Sequence, residues 1–256
     1  MKFVTNTMHL ISLSMLLLAP ASAFLNKDAE SSEELIAKYP DLVNDAIKGN
    51  PLILCPFLRM LERSGRLDEA DADTDDVQHI RTDDLKEAAD EFGCDTTTAC
   101  GPVVDTVCAG QTVTDGFSFS WFNPFRSREV DLQRLRDAPP ISHDCGFTFE
   151  KGAGESGVST DRLTSTLASL KARANANDQL VYQDILDTKN EICDGEGVEI
   201  TAAGLIETQL IFAFLGGNER GFIDYSDVEG FLQVDSQMPK TKAEEQITAF
   251  YLLRVK

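Results

Sequence analysis

The chain has 256 residues, 42% of them hydrophobic, enough to bury a sizeable core in one domain or two small ones. Its 23 Lys and Arg stand against 43 Asp and Glu, a formal charge of −20. Such a surface repels phosphate backbones and anionic membranes, which argues against nucleic acid or a membrane surface as partner. In chain order, Lys2, the apolar stretch LISLSMLLLAP and the small residues Ala21-Ser22-Ala23 read as a signal peptide over 1–23, leaving 24–256 as a secreted domain. The apolar core of that leader is too short for a membrane span, and no later segment has the uncharged length of one.

From there the apolar spacing predicts an all-α fold, a single mostly helical domain. SSEELIAKY (31–39) opens a helix with serines ahead of two glutamates. Helical intervals then recur over 56–64, 82–92, 129–137, 159–174, 178–188, 201–215 and 225–233. Strand-like alternation is confined to FSFSWF (117–122) and FTFEK (147–151), and no repeat has a fixed period.

Six cysteines (Cys55, Cys94, Cys100, Cys108, Cys145 and Cys193) in a secreted chain read first as disulfides. A short-range bridge among Cys94, Cys100 and Cys108 and a second from Cys145 to Cys193 suit their positions. Full pairing would engage Cys55 as well, whereas a free Cys55 leaves one other cysteine over. Cys55 stands directly before Pro56, and Pro56 suits the first position of a helix, where a missing N–H costs nothing. The unpaired N–H groups of a helix start make a thiol easier to ionise, and the thiolate is the form that attacks substrates or binds metals.

Other motifs lead nowhere. Gly152-Ala153-Gly154-Glu155-Ser156-Gly157 has GxGxxG spacing but lacks the strand and the immediate helix a nucleotide loop requires, so it reads as a surface loop. DADTDD (71–76) and GFIDYSD (221–227) resemble calcium loops; with Gly221 at loop position 6, positions 1, 3 and 5 fall to Gly216, Asn218 and Arg220, so most of the ligand charge is missing. The domain has two histidines, His79 and His143, too few for a three-histidine zinc site. Glu207 lies in the most apolar helix, with Ala203, Leu210, Ile211 and Phe214 within about 60° of it, and the polar Thr201 and Thr208 turned away. It either points into the buried face, where desolvation raises its pKa toward the range useful for proton transfer, or borders the polar face and reaches solvent.

Four stretches in succession resemble the haem-thiolate peroxidases, the fungal chloroperoxidase and unspecific peroxygenase family. The family's Pro-Cys-Pro motif and its helix are matched by Leu54-Cys55-Pro56 with LERSGRL after it. Its acidic segment and helix are matched by IRTDDLKEAADEF. Its Leu-rich lead into Glu-His-Asp is matched by VDLQRLRDAPPISHDCGFTF, with Ser142-His143-Asp144. Its helix bearing a distal glutamate is matched by GLIETQLIFAFLGGNERGFIDYSDVEGFLQVDSQMP, with Glu207. The resemblance implies a domain enclosing haem b, Cys55 as proximal iron ligand with Pro56 beside it, Glu207 as distal acid–base and His143 holding Glu207 by a hydrogen bond. It implies hydrogen peroxide as oxidant and a halide or small organic substrate. In the family a Glu before that His, and a Ser four residues on, serve a divalent cation near a haem propionate. Ser142 and Gly146 stand at those places, so the chain departs from the family there. The alternatives are a secreted acidic calcium-binding or interaction protein with degenerate helix-loop-helix pairs, and a haem-free pseudo-enzyme of the same fold.

Overall fold

A capping box starts the first helix. Ser31 Oγ accepts from the Glu34 N–H while the Glu34 carboxylate accepts from the Ser31 N–H, and α1 runs Ser32–Lys38. The computed structural model describes residues 28–67, 80–100, 129–130, 132, 144–151 and 157–248. After α1 come a 3-10 turn (Pro40–Val43), α2 (Pro56–Arg63), β1 (Ile80–Arg81), α3 (Thr82–Glu91) and β2 (Glu129–Val130). The C-terminal half adds α4 (Thr160–Arg173), β3 (Gln179–Leu180), α5 (Tyr182–Glu196), α6 (Ala202–Phe214), α7 (Gly217–Arg220), β4 (Ile223–Asp224) and α8 (Tyr225–Leu232). The described chain is therefore mostly helical, as the apolar spacing predicts. None of its helices is long and apolar enough to cross a membrane.

Three expectations need correction. Of the helix expected over 129–137, residues 129–130 form β2 instead, paired antiparallel with β1 through Ile80–Val130 and Arg81–Glu129, and 131 and 133–137 lie outside the described residues. FTFEK forms no strand because its backbone is engaged elsewhere: the Phe147 carbonyl accepts from Thr166 Oγ1 and the Thr148 carbonyl from the Ser159 N–H. The helix expected over 178–188 begins at Tyr182 and continues to Glu196. Before it, Asn175 Oδ1 accepts from the Asn177 and Gln179 N–H groups and Asp178 takes φ 58°, which ties 175–178 into a turn ahead of β3. The segments 71–76 and 117–122 lie outside the described residues.

Two helix-loop-helix units, α4–α5 and α6–α8, are joined at their loops by β3 and β4, paired antiparallel through Gln179–Asp224 and Leu180–Ile223. Their core is aromatic: Phe214 of α6 packs against Phe57 of α2 and Phe231 of α8, each with ring centroids 5.3 Å apart. The N-terminal helices are tied by Glu91 of α3, which accepts from Tyr39 Oη, Arg66 Nε and Lys38 Nζ. Burial raises the pKa of Glu91, yet the three donors outweigh it and hold the carboxyl below its ordinary value.

Cys108 lies outside the described residues; among the described cysteines, Cys94 pairs with Cys100 and Cys145 with Cys193. The second spans 48 residues and fastens the segment 144–151 to α5. By the loop-entropy relation a closure of this size restricts the unfolded chain by roughly 4 kcal/mol. The Cys145→Ala, Cys193→Ala double variant should lose stability on that scale in urea unfolding. A loss below about 1 kcal/mol would mean that the segment is held by its hydrogen bonds and not by the cross-link.

Candidate active site

Pro56 takes the first position of α2 and leaves Cys55 as the residue before the helix. Of the described cysteines Cys55 alone is free. The residue is half-buried, but its sulfur is deep enough that burial pushes the thiol pKa up. The N–H groups of Leu58 and Phe57 act in the opposite direction without closing a capping hydrogen bond, and Glu207 adds to the rise while Arg59 offsets it. The favourable field of the helix start is present, as the sequence implies. Burial outweighs it, so the free thiol is not the easily ionised group expected.

The turn that presents Cys55 is fastened from two sides. Arg59, one helical turn further on and fully buried, donates from Nη1 to the carbonyls of Ile53 (2.7 Å) and Leu54 (3.0 Å). Its other donors reach the end of α8: Nη2 to the Leu232 (3.1 Å) and Gln233 (3.3 Å) carbonyls, and Nε to Ser236 Oγ (2.9 Å). From the segment 144–151, Thr148 Oγ1 donates to the same Leu54 carbonyl at 3.2 Å.

Glu207 stands on α6, which Thr201 caps by accepting from the Gly204 N–H. The buried face of this helix includes Gly204, Thr208 and Ile211. Thr208, expected on the polar side, is buried because its hydroxyl donates to the Gly204 carbonyl one turn back. Glu207 sits at the edge of that face with 16% of its side chain exposed, and its carboxylate accepts from Lys189 Nζ of α5. Lys189 is itself fully buried, with its ammonium 4.7 Å from the centre of the Phe147 ring. Neither sequence alternative for Glu207 is complete. The carboxylate turns inward, and a buried ammonium balances its charge.

His143 and Ser142 lie outside the described residues, so the expected contact from His143 to Glu207 falls outside them too. Gly146 is described, and a Cβ there would lie 2.3 Å from the Phe149 ring. The position therefore has no room for a ligating side chain unless the ring moves. Among the described residues no group of three or more His, Cys, Asp or Glu could hold a metal ion. Gly146→Ser should destabilise the protein by overpacking, about 1–3 kcal/mol, read as a drop in Tm. Recovery of that loss on adding Mg²⁺ or Mn²⁺ would show that the serine can serve a cation after all.

The loops of the helix-loop-helix units carry their own cations. Arg220 Nη1 donates to Asp224 at 2.7 Å and Nη2 to the Leu215 carbonyl, while Lys171 Nζ meets Asp178 at 2.7 Å. In the same loop as Asp178, the Asn175 side-chain oxygen already accepts two backbone N–H groups. A groove of about 690 Å³ between α4 and α5, lined by residues such as Asp161, Arg162, Ser165 and Glu191, includes neither Cys55 nor Glu207.

No protein-family model matches the chain, and no curated protein matches it either. Two residues central to this geometry, Arg59 and Lys189, were not singled out by the sequence reading. Each carried a signal: Arg59 is a charged residue inside an apolar run, one turn from Cys55, and Lys189 falls between Ile185 and Ile192 on the apolar face of its helix.

Proposed function

We propose that the chain is a haem-thiolate peroxidase or peroxygenase that uses hydrogen peroxide to oxidise a halide or a small organic substrate. The observation that carries this reading is the setting of Cys55: a cysteine at a helix start, free while the other described cysteines are paired, with Glu207 among the charges that act on its thiol. The donor set suits haem b in part. A cysteine sulfur facing helix N–H groups would suit as a ligand to haem iron, and Glu207 would supply a carboxylate for proton transfer. The family's second divalent cation does not suit this chain, because Gly146 offers no oxygen and its surroundings admit no side chain without displacing Phe149.

Haem bound at Cys55 would supply the redox chemistry, with sulfur donation favouring cleavage of the O–O bond. The chain's own part is positional and protonic. The clamped turn at Ile53 and Leu54 fixes the sulfur. With haem bound to take up the remaining oxygen, Glu207 would accept a proton from one peroxide oxygen and deliver it to the other, which departs as water. Lys189 holds the Glu207 carboxylate in place, a part the resemblance gave to His143.

The paired helix-loop-helix units favour a calcium-binding reading by topology alone. The ion pairs Arg220–Asp224 and Lys171–Asp178 count against it, since each loop already holds a side-chain cation. The absorption spectrum of the reduced protein under carbon monoxide separates the readings. A thiolate-type red shift of the Soret band supports the enzyme. A colourless protein, even after incubation with haemin, favours the calcium-binding or haem-free alternatives.

A further inference from the structure

Each loop of the helix-loop-helix pair turns on one left-handed residue, Asp178 (φ 58°) in the first and Gly221 (φ 76°) in the second. With these at loop position 6, where a calcium loop makes its sharp turn, the two loops align by count. Position 8 is then Leu180 in one and Ile223 in the other. Both are fully buried, and they are partners in the β3–β4 pairing. Position 12, which closes a calcium loop with a carboxylate, is Asp184 in one and Asp227 in the other. The frame is complete, yet both closing carboxylates are engaged elsewhere. Asp184 accepts from the Val181 N–H at 2.8 Å, and Asp227 from the Lys240 (2.9 Å) and Thr241 (3.1 Å) N–H groups.

We propose that this pair is a calcium-type frame made independent of the metal: Arg173 and Arg220 make the links an ion would make, and the frame so held keeps α2 seated on α6 and α8. The inference goes beyond the haem-thiolate reading and does not rest on it. A loop-bound ion joins the end of the entering helix to the start of the leaving one through shared oxygen ligands. Each arginine spans the same gap. Arg173, the last residue of α4 and position 1 of its loop, reaches Asp187 (3.8 Å) and Glu191 (3.1 Å) on α5. Arg220, position 5 of the other loop, donates from Nη2 to the Leu215 carbonyl after α6 (2.9 Å) and from Nη1 to Asp224 before α8 (2.7 Å). In calcium sensors of this build the ion opens the helix pair and exposes a groove for an amphipathic helix. Here the helix comes from the same chain. Phe57, Met60 and Leu61 of α2 have the i, i+3, i+4 spacing of such a ligand. Met60 and Leu61 are fully buried, and the Phe57 ring packs on Phe214 of α6. Arg59 and Arg63 fasten the same helix to the carbonyls of Leu232, Gln233 and Asp235 at and after the end of α8.

Hydrogen exchange of the full chain, read by mass spectrometry on peptides from α2, α3 and the two loops, tests this in calcium and in chelator. The wild type should exchange alike in both. Arg220→Ala should speed exchange in α2 several-fold more than in α3, because the frame loosens and the whole fold does not, and calcium should not reverse it. Arg220→Asp sets a carboxylate at position 5 of a loop that already holds Asp224. It should loosen α2 in chelator and regain protection when calcium is added, the ion taking the place of the guanidinium. Calcium-dependent protection of the wild-type loops would overturn the inference, since they would then bind the metal themselves. Equal acceleration in α2 and α3, wild-type exchange in Arg220→Ala, or no calcium response in Arg220→Asp would overturn it too. If Arg220→Asp does not fold, Arg220→Lys decides: it keeps a tethered cation and should retain more α2 protection than Arg220→Ala, and equal loss in the two would refute the part given to the charge.

Discussion

Replacing Cys55 with His should remove the thiolate-type red shift of the reduced carbon monoxide complex while some haem remains bound. Imidazole can ligate iron but donates far less electron density than a thiolate, so the spectrum changes class. The substitution is placed where the backbone is held by partners outside the side chain: Leu54 by Arg59 and Thr148, and α2 by its packing on α6 through Phe57. Loss of the signature would then report the ligand and not a collapsed turn. Peptide mapping supplies a second readout. Cys55 found in a disulfide in the purified protein would end the enzymatic reading.

Glu207→Gln should slow consumption of hydrogen peroxide by about 10² or more, the usual scale of acid–base assistance. The amide retains an oxygen to accept from Lys189, so the buried ammonium keeps a partner and the fold is spared, while the group can no longer carry a proton. Lys189→Met is the complementary change. It takes the ammonium away from the carboxylate, and breaking a buried pair from one side costs roughly 3–5 kcal/mol. Residues that act as a unit are non-additive when removed, so adding Lys189→Met or His143→Ala to Glu207→Gln should slow peroxide consumption little further. In the wild-type background the comparison of His143→Ala with Lys189→Met tells which residue holds Glu207. Stopped-flow mixing with peroxide measures all of these. Wild-type rates in Glu207→Gln would show that proton transfer lies with another group.

The helices were legible because their apolar intervals are regular. Ser31 with Glu34, Pro56, and Thr201 mark starts that depend on neighbours in sequence alone. The short strands were not legible, since two-residue pairings such as Leu180–Ile223 are made by distant loops and leave no local pattern. The same division runs through the site. Cys55 could be picked out from Pro56 beside it, and Glu207 from the apolar helix around it. What each touches could not, because Lys189 reaches Glu207 from another helix and Arg59 joins α2 to the end of α8. The burial of Thr208 was missed for a related reason. A hydroxyl that bonds its own helix loses its polar preference, and composition does not register that bond.

Phe147 and Thr148 are adjacent in the chain, yet they serve opposite sides of the site. The ring of Phe147 lies under the Lys189 ammonium that holds Glu207, and the hydroxyl of Thr148 grips the carbonyl before Cys55. One peptide unit is thus a gauge block between sulfur and carboxylate. This span, tied to α5 by the Cys145–Cys193 bridge, therefore touches the supports of both groups, alongside the Arg59 clamp on the Cys55 side. Thr166, which donates to the Phe147 carbonyl from α4, fixes the height of that block. A methyl group in place of its hydroxyl would touch neither Cys55 nor Glu207 and would still change the spacing of both.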